Sequence, residues 1–407
     1  MKKNLLWISM FAPISKASSG GSQTFNYYFK QFLKSGEFNI RLISCGKYAE
    51  KEYIDFELKD VPKHIIYWNK PNSSRLGKLI NIESKFNIFN RNANLVSNTT
   101  VKEVLACAKR YKAEGFYPDV VILEWTEMLM LAQEIKQIFP NSKVIASEHD
   151  VTFVGYSRKK DYYTGIKKWV WNLKYKREKR LELSALQLCD LILPHNSDNK
   201  DVLIHEGLDE EKIYGLVPYF KNMKSNTRCS NKKDILFFGA MGRPENSLSA
   251  IWFIENVLPK LGGLNYRFVV LGSNPPEELL RMESDKIYIT GFVDDITPFF
   301  IESACLVAPL VLGAGIKIKV LEAMSSGIPV FTNTIGIEGI PAQDGQEYVH
   351  CETVDEYVSS INKLFANETV YEEMGQRAKL FINDRFSPDA FYEEYKILIS
   401  KLIGADK

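Results

Sequence analysis

Eleven short apolar runs recur along the chain, each stopped by glycine, proline or polar residues and separated from the next by helical patterning. That alternation is the mark of parallel βαβ units, because strands buried on both faces read as continuous apolar runs. The first half carries "NLLWISM" (4–10), "IRLISC" (40–45), "HIIYW" (64–68), "DVVILE" (119–124), "KVIASEH" (143–149) and "LILPH" (191–195). The second carries "DILFFGA" (234–240), "RFVVLG" (267–272), "KIYITGF" (286–292), "CLVAPL" (305–310) and "IPVFT" (328–332). Each set fills one doubly wound sheet, so two α/β domains are expected.

The length of 407 residues agrees with two cores, since one core rarely grows far beyond about 250 residues. Between the sets lies "YFKNMKSNTRCSNKKD" (219–234), polar and basic without an apolar period. We therefore expect one domain over 1–218, a second over 219–385, and a final helix over 386–407 that packs back on the first domain. A proline in "RFSPDA" suits the entry of that helix.

Charge and cysteine content narrow the function. A net charge of +2 makes no whole-molecule case for nucleic acid. Six cysteines stand singly with no C-x-x-C pair, which argues against a zinc site or redox dithiol and for a reduced, cytoplasmic protein. The N-terminal apolar run is short and passes into a Pro/Gly/Ser loop, so it reads as a first buried strand rather than a signal peptide.

Residues 313–330, "GAGIKIKVLEAMSSGIPV", hold the densest chemistry. Gly313 and Gly315 bracket a loop that lets backbone approach a ligand, and a helix expected from about Ile316 aims its unpaired N–H groups there. Lys317 and Lys319 add positive charge, which together favours a dianionic group such as a diphosphate. Glu322, three residues after Lys319, shares its side of the helix and can accept hydrogen bonds from a hydroxylated ligand. The alternative is a solvated turn with a surface ion pair.

Ligands of open α/β sheets bind beyond the carboxyl ends of the strands, and several loops there carry suitable groups. "SKASSGGSQTF" (15–25) brings Gly20 and Gly21 before a helix, without a G-x-G-x-x-G fingerprint. "SEHD" (147–150) offers Glu148, His149 and Asp150, and "GAMGRPENS" (239–247) offers Arg243. Asp294 and Asp295 in "GFVDDI" read as a helix N-cap in preference to a metal site. His195 reads as structural, and a strand-end histidine satisfied by backbone is the plain reading of His149.

The succession "ILFFGAMGRPENSLSAIWFIENVLPKL", "RFVVLGSNPPEEL", "IYITGFVDDITPFFIESACLVAPL", "GAGIKIKVLEAMSSGIPVFTNTIGIEGI" and "FSPDAFYEEYKILI" resembles the donor half of family 4 retaining glycosyltransferases of GT-B fold. The resemblance is strong over 234–400 and loose over 1–220. It implies two Rossmann-like doubly wound domains facing across a cleft, the N-terminal one binding the acceptor and the C-terminal one the nucleotide sugar. The implied activity is metal-independent, retaining transfer from a UDP- or GDP-sugar to a glycan or lipid-linked acceptor, with no cofactor, in surface-polysaccharide synthesis.

Carried over by position, Gly20, Gly21, Gly313, Gly315, Ile316, Lys317, Lys319 and Glu322 would bind the donor. His149, Lys319 and Arg243 would act in catalysis, and Glu148 with Asp150 would meet the acceptor. Two departures stand out: Ala314 occupies the place of the family's first glutamate, eight residues before Glu322, and Ala240 replaces a common arginine. They motivate an alternative, a catalytically impaired homologue that stabilises a partner transferase. A sugar-nucleotide epimerase would need histidines and carboxylates on both sides of a cleft, and only His149 is well placed.

Retention by double displacement needs a carboxylate on the far face of the sugar. Glu148 and Glu124 are the candidates, neither with support, and the resemblance implies front-face substitution instead. Residues 158–180, "RKKDYYTGIKKWVWNLKYKREKR", carry ten Lys or Arg interleaved with Trp and Tyr. Such a segment can sit on an anionic membrane surface, peripherally at the inner face of the cell membrane, and the alternative is a solvated helix face. Nucleic acid is the rival, but no motif for it accompanies the patch.

Overall fold

The computed structural model describes residues 2–16, 20–68, 95–223, 227–230, 233–263 and 265–404. The chain forms two compact units: residues 1–219 together with 388–407, and residues 220–387. Loop residues 17–19 and linker residues 224–226 and 231–232 lie outside the described residues.

In the first unit the strands are β1 (Lys3–Ser9), β2 (Phe38–Lys47), β3 (Lys63–Trp68), β4 (Val120–Glu124), β5 (Lys143–Glu148) and β6 (Leu191–Pro194). They pair in parallel in the order β3-β2-β1-β4-β5-β6. Every residue of β4 is buried, as its unbroken apolar run requires of a strand covered on both faces. The chain winds outward from β1 and then returns to β4, so β1 and β4 flank the point where strand order reverses.

The second unit repeats the plan with β7 (Asp234–Phe238), β8 (Arg267–Leu271), β9 (Ile287–Gly291), β10 (Cys305–Ala308), β11 (Val330–Thr332) and β12 (Val349–His350). Their order is β12-β11-β10-β7-β8-β9, again parallel, and β7 and β10 flank the reversal. The two-residue β12 has no apolar run and escaped the sequence pattern. Both sheets are Rossmann-like, and the α/β fold class expected from the alternation is the one observed.

The last helix, Pro388–Gly404, belongs to the first unit. Tyr392 and Tyr395 set their rings edge-on to Phe32, each 5.2 Å between centroids, and Ile399 is fully buried in the same core. Tyr27 and Tyr214 donate hydrogen bonds to Asp389 and Glu394 on this helix. The second unit is thus entered after Tyr219 and left before Pro388, and Asn222 Nδ2 donates to Asn383 Oδ1 at 3.2 Å close to those two points.

Candidate functional site

In the second unit the loops after β7 and β10 lie at the reversal, where a doubly wound sheet leaves a crevice. The β10 loop needs its glycines: Gly313 has φ +132° and Gly315 φ +76°, values that a side chain disfavours. The helix that follows runs Ile318–Ser326 with Lys317 as its N-cap, two residues later than the sequence suggested. The positive φ of Gly315 delays helix entry, so Ile316 stays in the loop. Gly327, at φ +83°, closes the helix in the left-handed conformation.

The two lysines do different work. Lys317 is buried and pairs with the buried Glu338 at 3.1 Å, and its ammonium also donates to the carbonyl of Gly315. Lys319 donates to Asn246 Oδ1 at 2.6 Å, and its ammonium lies 5.0 Å from the centre of the Phe237 ring. Burial, then the neighbouring Arg243 and Lys317 cations, lower its pKa to about 7. Asn246 in turn donates from Nδ2 to the carbonyl of Ala240, tying the lysine to the β7 loop.

Glu322 is buried on the same helix and accepts from the Lys221 backbone N–H at 3.4 Å. Burial raises its pKa to about 7, opposed by that hydrogen bond and by the Lys221 charge. Arg243 is exposed at the N-cap of the Pro244–Asn256 helix, 3.8 Å from Glu245. Gly272 permits a close approach behind this loop, since a Cβ there would stand 1.7 Å from the Gly239 carbonyl oxygen. Asp295 accepts from the Thr297 N–H and the Lys221 ammonium, holding the start of the Thr297–Glu302 helix.

In the first unit a compact polar knot sits at the ends of β1, β4, β5 and β6. Glu124 ends β4 with almost no exposed surface and accepts from the Trp7 indole and the Ser147 hydroxyl, both at 2.7 Å. His149 Nε2 lies 2.7 Å from the same carboxylate. Burial raises the Glu124 pKa to about 7 and depresses that of His149 to about 3, so the imidazole is neutral near pH 7. With Nε2–H donated to Glu124, Nδ1 is left as an acceptor.

The ring of His149 is stacked on Trp125 at 4.5 Å between centroids and lies 4.3 Å from the ring of His195. Trp125 holds φ +71°, a strained value for a bulky residue, and this bend sets its indole against the imidazole. A Cβ on Gly21 would meet His149 Nδ1 at 3.1 Å and Trp125 Nε1 at 3.3 Å. The start of the Gly20–Ser35 helix is thereby brought to His149, joining two of the sequence candidates.

Glu124, His149 and His195 offer ligand atoms within 4.8 Å of one another. Two ligands each about 2 Å from a tetrahedral ion stand roughly 3.3 Å apart, so the 2.7 Å Glu124–His149 contact is a hydrogen bond rather than a metal edge. His195 spends Nε2 on Ser147 at 3.1 Å.

Glu148 has no exposed surface. One oxygen accepts from Thr126, and burial together with the Glu182 carboxylate holds its pKa well above the usual range. Its carboxyl faces the interior, away from any acceptor in solvent, whereas Asp150 is exposed. Neither Glu124 nor Glu148 presents a solvent-facing oxygen for a covalent intermediate.

Residues 232–367 match the family model described as Glycosyl transferases group 1. The matched stretch lies within the second unit. An uncharacterized glycosyltransferase of Methanocaldococcus jannaschii is 24% identical over 292 residues, covering 65% of this chain and 70% of that protein. Among solved structures, sucrose-phosphate synthase from Thermosynechococcus elongatus is similar over 99% of this chain and 100% of its own chain, at 13% identity and TM-score 0.72. HepE of Anabaena, in complex with UDP and glucose, is similar over 97% and 99% of the two chains, at 12% identity and TM-score 0.68.

Asn246, Glu338, Lys221, Trp125 and Ser147 were not found from sequence. Glu338 left a faint signal, a lone acid in the otherwise apolar "GIEGI". Glu124 was named from sequence as a nucleophile candidate, and the structure instead gives it the work of holding His149.

Proposed function

We propose that this glycosyltransferase moves a sugar from a nucleoside-diphosphate sugar to a glycan or lipid-linked acceptor at a membrane surface, with retention of configuration and without a metal ion. The observation that carries the reading is the placement of Lys319, Asn246, Glu322 and two positive-φ glycines at the strand-order reversal of the matched domain. The similarity to a UDP-bound structure supports UDP as the nucleotide, with GDP the alternative.

Leaving-group departure loads negative charge on the diphosphate. Lys319, Arg243 and the N–H groups at the start of the Ile318–Ser326 helix would stabilise that charge, an electrostatic contribution commonly worth several kcal/mol. Lys317, already balanced by Glu338, would hold the glycine loop in shape. Glu322 would accept from ribose hydroxyls. His149, neutral and fixed by Glu124, would offer Nδ1 as an acceptor to a sugar hydroxyl, with Gly20 and Gly21 giving backbone access beside it. The interior placement of Glu124 and Glu148 favours a single front-face displacement over a covalent intermediate.

The test is a thermal-shift screen of the full chain against UDP, GDP, ADP, TDP and CMP, with and without magnesium. One diphosphate should raise the melting temperature without magnesium, because a ligand that binds only the native state stabilises it. Binding of none at millimolar concentration overturns the reading and favours the partner-stabilising alternative that Ala314 suggests.

A further inference from the structure

The Gly165–Leu186 helix has 22 residues, about 33 Å at 1.5 Å per residue. Its second half is anchored in the first unit through buried Glu178, Glu182, Ala185 and Leu186. Its first half is exposed, residues 165–170 without a break. There Ile166, Trp169, Val170 and Leu173 are 82%, 62%, 38% and 48% exposed. Steps of three, four and seven put these four on one face, making a continuous apolar ridge.

The opposite face is occupied. Trp171 packs edge-on against Tyr156 at 5.3 Å and lies parallel to Tyr163. Of two tryptophans only two positions apart, one is packed and the other stands in solvent. Lysines fringe the ridge: Lys167, Lys174 and Lys176 are exposed, and Lys174 lies over the Trp171 ring at 4.5 Å. Arg180 extends the row toward the anchored half.

An exposed apolar ridge of this kind marks a contact surface. Charge decides its partner. A second copy of the chain would bring its own lysines against these, and nucleic acid would match the lysines but leave Ile166 and Leu173 in water. Anionic headgroups above an acyl boundary satisfy both, with tryptophan at the interface and lysine stems reaching to the phosphates.

We propose that the first half of this helix lies on an anionic lipid bilayer, with Ile166, Trp169, Val170 and Leu173 in the acyl boundary and the flanking lysines on headgroups. This specifies the membrane contact of the reading above and rests on that part of it alone. No helix among the described residues is long and apolar enough to cross a membrane, so the contact is lateral.

The experiment is co-sedimentation of the full chain, without nucleotide or acceptor, with phosphatidylcholine vesicles and with vesicles in which about a quarter of the lipid is phosphatidylglycerol. In about 0.1 M salt the protein should partition roughly tenfold more strongly to the anionic vesicles, and less as salt rises. Trp169→Ser with Leu173→Ser should weaken partition about fivefold or more while leaving nucleotide thermal shifts unchanged. Phe56→Ser, at an aromatic 76% exposed elsewhere in the same unit, should change nothing.

Three results overturn the proposal: no binding of wild type to anionic vesicles, equal binding by the ridge variant, or equal loss in Phe56→Ser. A wild-type dimer that the ridge variant converts to monomer does so too, by assigning the ridge to a second copy. A failed nucleotide screen with intact vesicle binding would remove the donor reading and leave this one standing.

Discussion

Lys319 and Asn246 stand 73 positions apart, yet the Lys319 ammonium donates to the Asn246 side-chain oxygen at 2.6 Å. The bond joins the first turns of the two helices that follow β7 and β10 and places a half-buried cation where strand order reverses. Removing the cation removes the group proposed to meet the diphosphate. We expect Lys319→Ala to abolish the nucleotide-induced thermal shift and to slow transfer about 100-fold or more. Asn246→Ala should do less, about tenfold, because the charge survives while its aim is lost. A radiolabel transfer assay with the thermal-shift series measures both.

The depressed pKa of Lys319 gives nucleotide binding a pH signature. Free Lys319 is mostly neutral above about pH 7, and a bound diphosphate favours its charged form. Binding should therefore take up close to one proton at about pH 8, and affinity should fall as pH rises through and above 7. Glu322, whose raised pKa is also about 7, is already ionised at that pH and contributes little uptake. Calorimetry in buffers of different ionisation enthalpy reads the proton count, and Lys319→Met should bring it near zero.

Glu338 and Lys317 form a buried pair whose halves should not be removable one at a time. Glu338→Leu strips the ammonium of its carboxylate and should cost about 3 kcal/mol in urea unfolding. Combining it with Lys317→Met should recover much of that loss. A double-mutant cycle with a coupling near zero would show the pair to be energetically idle.

Gly21→Ala separates stability from activity. A Cβ would come within 3.1 Å of His149 Nδ1, and His149 cannot easily yield because Glu124, Trp125 and His195 hold it. Alanine also gains about 1 kcal/mol of helix propensity over glycine, which offsets the crowding. Unfolding free energy should change by about 1 kcal/mol or less while transfer falls about tenfold. Unchanged transfer would detach His149 from the reaction.

Glu124→Gln tests the knot from the other side. Three donors converge on the carboxylate, and an amide can accept at only one of its two ends. We expect a loss of about 1–3 kcal/mol in stability and reduced transfer through a turned His149 ring. The equivalent loss in His149→Gln, with no further loss in the double variant, would confirm that the two act as a unit.

The central strands were legible because burial on both faces writes them as near-continuous apolar runs, and among the described residues eleven of twelve strands were read from such runs, the half-buried edge strands β3 and β9 included. The site was legible where local backbone dictates residue type: Gly313, Gly315 and Gly327 announce turns that other residues resist. It was opaque where partners come from distant segments, as Asn246 does for Lys319 and Glu338 for Lys317. Sequence shows two equal lysines in "KIK", and only packing reveals that one is balanced by a carboxylate while the other points to an amide. Trp169 and Trp171 teach the same lesson, since helical phase alone does not say which side of a helix is already covered.

The second unit is entered and left at points bridged by the Asn222–Asn383 hydrogen bond, so it is an insertion into the first rather than a successor to it. Adjacent ends are what let a segment be spliced into a host without tearing either interior. The 220–387 segment is in that sense a cartridge. A chimera that swaps it for the matching segment of another transferase would keep the first unit's aromatic closure by the final helix, and with it whatever surface that unit occupies.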